Sequence, residues 1–149
     1  MSVMVHTYFN LDESSPVPLY EQLIEQAALA VAAGRLAPGD DLPSVRTLAA
    51  ELRINPNTAA RALREMERAG LAEARRGVGS VVADGAPAAA RPLAGRVLER
   101  ELGGVVEVGR QLGLDLTDVQ VALARRWEED DGFRSDDGRS DGGEDGHRG

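Results

Sequence analysis

The chain contains no cysteine, which excludes disulfides, thiol catalysis and cysteine metal sites. No apolar run approaches 18 residues, so nothing in the sequence is built to span a membrane. The opening MSVMVHTYFNLDE lacks the basic-then-apolar layout of a secretory signal, and the protein is expected to be cytoplasmic. Aromatic residues make up only 3%, so a core must rest on Leu, Val and Ala. The two histidines, His6 and His147, lie near opposite ends. No metal-ligand spacing and no nucleophile-plus-base arrangement is visible. Catalysis, a metal and a cofactor are therefore not expected. Lysine is also absent, and all 17 basic residues are Arg. With abundant Ala and Gly, that bias points to a GC-rich genome rather than to a mechanism.

What is present suits one domain with an appendage, at 149 residues and 42% hydrophobic content. The net charge of −8 taken alone argues against DNA, but its distribution answers the objection. Residues 128–149 hold nine acids against three Arg, so this segment carries −6 of the total. Residues 44–80 hold seven Arg against four Glu, a local +3. Phosphate attraction follows the local field within a Debye length, not the chain total.

Residues 43–64, LPSVRTLAAELRINPNTAARAL, carry the functional signal. An apolar-periodic segment ends at Leu52, and a short connection leads to Asn55-Pro56. Asn55 suits a helix N-cap and Pro56 the first helical position, where no N–H is needed. Asn57, Thr58 and Arg61 then share one face near the start of the second helix. Two short helices with a tight turn, the second offering amide, hydroxyl and guanidinium groups, form a DNA-reading helix-turn-helix. Asn can pair with the adenine edge, Arg can fork onto guanine, and Thr can reach a base, a methyl or a phosphate.

The longer stretch 17–82 resembles the winged-helix domain of the GntR family of bacterial transcription regulators. The matching pieces are PLYEQL, GRLAPGDDLPSVRTLAAEL, NPNTAARALREMERAGL and RRGVGSVV, in the right order. The NPNTAARA form, the upstream FNLDESSPVPLYEQL and the short C-terminal region look most like the YtrA-type branch. The resemblance implies a double-stranded DNA operator as partner. It also implies that Ser44, Arg46, Asn55, Asn57, Thr58 and Arg61 face DNA, with Arg46 on a phosphate or in a groove. Arg75, Arg76 and Gly77 would form the wing tip, where a guanidinium suits a narrow minor groove. Many family members have Arg at the positions matching Pro56 and Ala60. Here both are absent, and Arg61 lies one residue on, which leaves the base assignment open.

The expected fold is mainly α with a small β-wing: an N-terminal winged helix-turn-helix followed by a short two-helix dimerisation region. Residues 1–15 read as an extended packing arm and 16–84 as the DNA-binding domain. In that domain, helices are expected from about Val17 to Ala33, from Ser44 as a cap, and from Pro56 to Ala69. A brief strand is expected at Asp41-Leu42, and a hairpin pairs 71–74 with 80–83. Residues 85–92 read as a linker and 93–130 as the helical dimerisation region. Gly103-Gly104 and Gly109 weaken the middle of that region, and Asp115 with Asp118 caps its last helix. Residues 131–149 read as an acidic disordered tail.

About 38 residues between linker and tail are too few to enclose a metabolite-sized pocket. Two amphipathic helices alone cannot bury their stripes, so a second copy is expected to cover Leu98, Leu102, Val105, Val106, Val119 and Leu123. The sequence thus anticipates a homodimeric repressor on a two-fold operator, with no membrane contact. The YtrA-type resemblance adds control of a transporter operon and of the protein's own gene. It leaves any small-molecule effector open.

Overall fold

The computed structural model describes residues 2–136. The elements run α1 (Ser2–Tyr8), α2 (Leu19–Ala32), α3 (Val45–Leu52), α4 (Pro56–Arg68), β1 (Ala72–Arg75), β2 (Gly79–Val82), α5 (Ala86–Gln111) and α6 (Leu116–Asp136). This is a mostly helical chain with one small antiparallel wing. It divides into two compact units, and the division falls between Arg100 and Glu101, inside α5.

The first unit is built around α4, against which both α2 and α3 pack. Ser44 caps α3 by accepting from the Thr47 N–H at 3.1 Å, and Asn55 caps α4 by accepting from the Asn57 N–H at 2.8 Å. Between the two helices Arg53 adopts a left-handed conformation with φ 53°. Leu23, Ala27 and Val31 of α2, Leu48 of α3, and Ala59, Ala62, Leu63 and Met66 of α4 interlock in one buried cluster. Leu36, Leu71, Ala72 and Val82 close it from the loop and the wing. The hairpin pairs Ala72 with Val82 through Arg75 with Gly79. The strand expected at Asp41-Leu42 is reduced to a single bridge, Asp41 to Val81.

Two segments of this unit differ from the sequence expectation. The arm begins as a helix, not as an extended piece. Val5 and Phe9, one helical turn apart, both bury against the core. The rest of the arm is stitched to α2 by two glutamines. Gln26 accepts from the Asn10 N–H and donates to the Asn10 carbonyl, each at 2.7 Å. The buried Gln22 accepts from the Asp12 N–H at 2.9 Å and donates to the Asp12 and Val17 carbonyls, each at 2.8 Å. The second correction concerns the expected linker 85–92, which forms the first turns of α5. Ala86 and Ala90 are fully buried, and Ala89 lies against Gly70, whose φ of +81° ends the turn after α4. Alanine is the best helix former, so a run that looks like spacer becomes a packed helix start. Further along, Arg100 forks onto the Glu25 carboxylate, its Nη2 lying 2.9 Å from Oε2, and joins α5 to α2.

In the second unit the glycines do not interrupt α5, which continues to Gln111. Gly109 is buried, and a Cβ placed there would come within 2.9 Å of the Val119 Cγ2. Asp115 and Asp118 cap α6 reciprocally: the Asp118 N–H donates to Asp115 at 2.8 Å and the Asp115 N–H to Asp118 at 3.1 Å. The helix then runs on to Asp136, so residues 131–136 are not the disordered tail that was expected. Arg126 pairs with Glu129 at 3.7 Å and with Asp130 at 3.2 Å, the three- and four-residue spacings that support a helix. The remainder of the expected tail lies outside the described residues.

Candidate nucleic-acid interface

The first turn of α4 offers a capped, open N-terminus. Asn57 and Arg61 are exposed, and Thr58 is half-buried. Pro56 opens the helix and needs no N–H partner. The inner face of α4 is filled by Ala59, Ala62, Leu63 and Met66, which fixes the direction of the outer face. Arg46, in the first turn of α3, is exposed. It lines a shallow apolar cleft with Val45, Ala49, Ala50, Ile54 and Pro56, which places it beside the start of α4.

Not every residue named from the sequence is equally available. The Ser44 hydroxyl accepts from the Thr47 N–H and donates to the Thr47 hydroxyl at 3.0 Å. The Asn55 side-chain Oδ1 accepts from the Asn57 N–H. Both side chains therefore work inside the motif, holding its helices. On the wing, the Arg75 Nε lies 2.8 Å from Glu73, and its Nη2 lies 3.8 Å from Asp84. Arg76 and Gly77 are exposed at the tip, and no ion pair holds Arg76 among the described residues. Gly77 has φ +79° and Gly79 φ +102°, values that L side chains rarely adopt, so the tight tip requires glycine. Val78 between them is 62% exposed.

One contact was not visible in the sequence. The Arg61 guanidinium carbon lies 3.8 Å from the centroid of the Tyr20 ring. Tyr20 sits in the first turn of α2, is half-buried against the core, and donates its O–H to Glu21 at 2.9 Å. That hydrogen bond, with burial, raises the phenol pKa above its ordinary value. Tyr20 lies within PLYEQL and is one of only two tyrosines, but nothing in the pattern links it to a residue 41 positions away.

The description "bacterial regulatory proteins, gntR family" matches residues 19–82. The chain is similar to the HTH-type transcriptional regulator YhcF of Bacillus subtilis (strain 168). Identity there is 39% over 100 residues, covering 67% of this chain and 82% of that one. It is also similar to the HTH-type transcriptional repressor YtrA of the same organism, with 43% identity over 76 residues, 51% of this chain and 58% of the relative. Among solved structures, YtrA from Sulfolobus acidocaldarius, a GntR-family transcription factor, aligns with a TM-score of 0.50 and 28% identity. It covers 64% of this chain and 98% of that one.

Proposed function

Because the chain belongs to the GntR family, of YtrA type, and is a DNA-binding transcriptional regulator rather than an enzyme, we propose that it acts as a homodimeric repressor on a two-fold operator. The observation that carries this reading is the capped start of α4, where Asn57, Thr58 and Arg61 surround a first turn free of bulky apolar groups. Each α4 enters a major groove, with Asn57, Thr58 and Arg61 toward base edges and Arg46 toward a phosphate. Ser44 and Asn55 serve this surface by holding the two helices, and they remain close to the DNA backbone. The wing tip, Arg75 to Gly77, follows the minor groove. There Arg75 must exchange its carboxylate partners for phosphate, whereas Arg76 has none among the described residues to exchange.

Residues 93–130 supply the homodimer. Leu98, Leu102, Val105, Val106 and Leu123 are all exposed in the single chain, with Val119 half-buried beside them in sequence. A second copy removes that surface from water, at about 25 cal/mol per Å². Half-sites then recur about one helical turn apart on the duplex. We infer further that the protein works in the cytoplasm and, as the YtrA-type resemblance implies, acts on its own promoter and on a neighbouring transporter operon. No described helix is long and apolar enough to cross a membrane.

An electrophoretic shift with the DNA upstream of the protein's own gene, followed by footprinting and a promoter–reporter assay, tests the reading. A protected two-fold site and reduced reporter output are expected. Binding with no sequence preference, or reporter output that rises, would overturn it.

A further inference from the structure

Arg61 and Tyr20 come from helices that sequence reading treats separately, yet they form the closest ring–cation contact among the described residues. The guanidinium carbon is 3.8 Å above the Tyr20 ring, well within the roughly 6 Å over which a cation is held by an aromatic face. The comparable pair, Arg35 over Tyr8, stands at 6.0 Å, the edge of that range. We propose that Tyr20 is a positioning residue for DNA recognition, its ring holding the Arg61 guanidinium in the orientation that reads one base pair. This rests on α4 being the DNA-reading helix.

Three observations carry the proposal. First, Arg61 has no carboxylate partner among the described residues, unlike Arg68, which pairs with Glu65 at 3.0 Å, and Arg75, which pairs with Glu73. A ring holds the guanidinium by its face. All five N–H donors lie in the guanidinium plane, so a stacked Arg keeps its edges for an acceptor pair such as guanine O6 and N7. A carboxylate would occupy that same edge. Second, Tyr20 is itself held. It packs against the core from the first turn of α2, and its O–H donates to Glu21 at 2.9 Å. Third, Arg61 remains exposed, so the stack orients it without withdrawing it from a ligand. A long Arg side chain fixed before binding loses less freedom when it docks.

The test uses the full chain and a randomised duplex pool. Wild type, Tyr20→Phe, Tyr20→Leu, Arg61→Ala and the Tyr20→Leu/Arg61→Ala pair are each put through selection, then titrated by fluorescence anisotropy on the wild-type site. Leu keeps an apolar side chain toward the core but has no π face. Wild type and Tyr20→Phe should select the same site. Tyr20→Leu and Arg61→Ala should lose preference at the same base pair and bind the wild-type site about tenfold more weakly, which falls within what a bidentate base contact discriminates. The double variant should be no weaker than Arg61→Ala alone.

Several results would overturn the proposal. One is loss of preference in Tyr20→Phe, which would place the role in the hydroxyl. Another is additive losses in the double variant, which would make the two residues independent. A third is uniform weakening on all sequences by Arg61→Ala, with the salt slope lower by about one, which would mark a phosphate contact. If Tyr20→Leu unfolds, Arg61→Ala and Tyr20→Phe still decide, because Arg61 is exposed and Phe keeps the ring. Wild type that enriches no site sinks the DNA-reading premise and the positioning role together. A wild-type site that Arg61→Ala enriches unchanged sinks only the latter.

Discussion

In the winged-helix unit Leu23, Leu48 and Val81 are at most 1% exposed, whereas beyond Arg100 Leu112, Leu116 and Trp127 are each at least 68% exposed. Both regions have helices with apolar residues at helical spacing. The first closes its stripes on one another, since α2, α3 and α4 meet and the wing and α1 cap the ends. The second has only the end of α5 and α6, and the small contact at Gly109 and Val119 hides little. Periodicity therefore announces that a face is to be covered without saying what covers it. In the first unit the answer is the same chain. In the second, the dimer proposed above is the answer.

The sharpest way to break this comparison is a charge in the exposed stripe. Leu123→Asp should abolish the dimer by sedimentation at micromolar concentration and weaken operator binding about 10²–10⁴-fold, since one head lacks the effective concentration of two. Its winged-helix fold should survive, read by the same near-native melting of that unit. A dimer that persists would move the interface elsewhere. The mirror-image change is Leu48→Ala, in a fully buried site. It should cost about 2–5 kcal/mol in chemical unfolding, with m unchanged. A loss under 1 kcal/mol would mean that the first core is looser than its burial implies.

The same helix allows a smaller comparison. Gly95 has open space where a Cβ would stand, whereas Gly109 meets Val119. Gly95→Ala should stabilise by about 0.5–1 kcal/mol through helix propensity. Gly109→Ala gains the same propensity but overpacks a stiff β-branched neighbour at a cost of about 1–3 kcal/mol, so its melting temperature should fall. Equal shifts in the two variants would show that α5 and α6 do not pack as described. The smallest effect is expected at Arg53, whose left-handed backbone favours Asn or Gly. Arg53→Asn should raise stability by about 0.5–1 kcal/mol, measured by urea midpoint. A lower midpoint would assign the Arg53 side chain a structural role.

Local chemistry was legible from residue order. Ser44, Asn55-Pro56 and the Asp115–Asp118 pair announce their helix starts, because a cap depends on residues within three positions. The wing was legible through its glycines. What escaped was tertiary. Ala89 looks like spacer until it meets Gly70, and the arm reads as extended until a core meets both Val5 and Phe9. Arg46, Asn57, Arg61 and Arg76 are exposed, as the proposed DNA face requires. The sequence could not say that the Ser44 hydroxyl also donates to Thr47, that Arg75 is paired, or that Arg61 rests on Tyr20. Each depends on which side chain reaches a group first, a competition between neighbours in space.

The pair of glutamines on α2 has a dynamic consequence. Gln22 and Gln26 present their amides to the backbone of Asn10 and Asp12 much as a neighbouring strand would, accepting from each N–H and donating to each carbonyl. A segment without regular secondary structure thereby acquires the hydrogen bonding of a sheet edge. Its amides should not exchange with solvent deuterium at loop rates. The Asn10 and Asp12 N–H groups should be released only when α2 itself opens, so the stretch before α2 behaves kinetically as part of the helix it precedes.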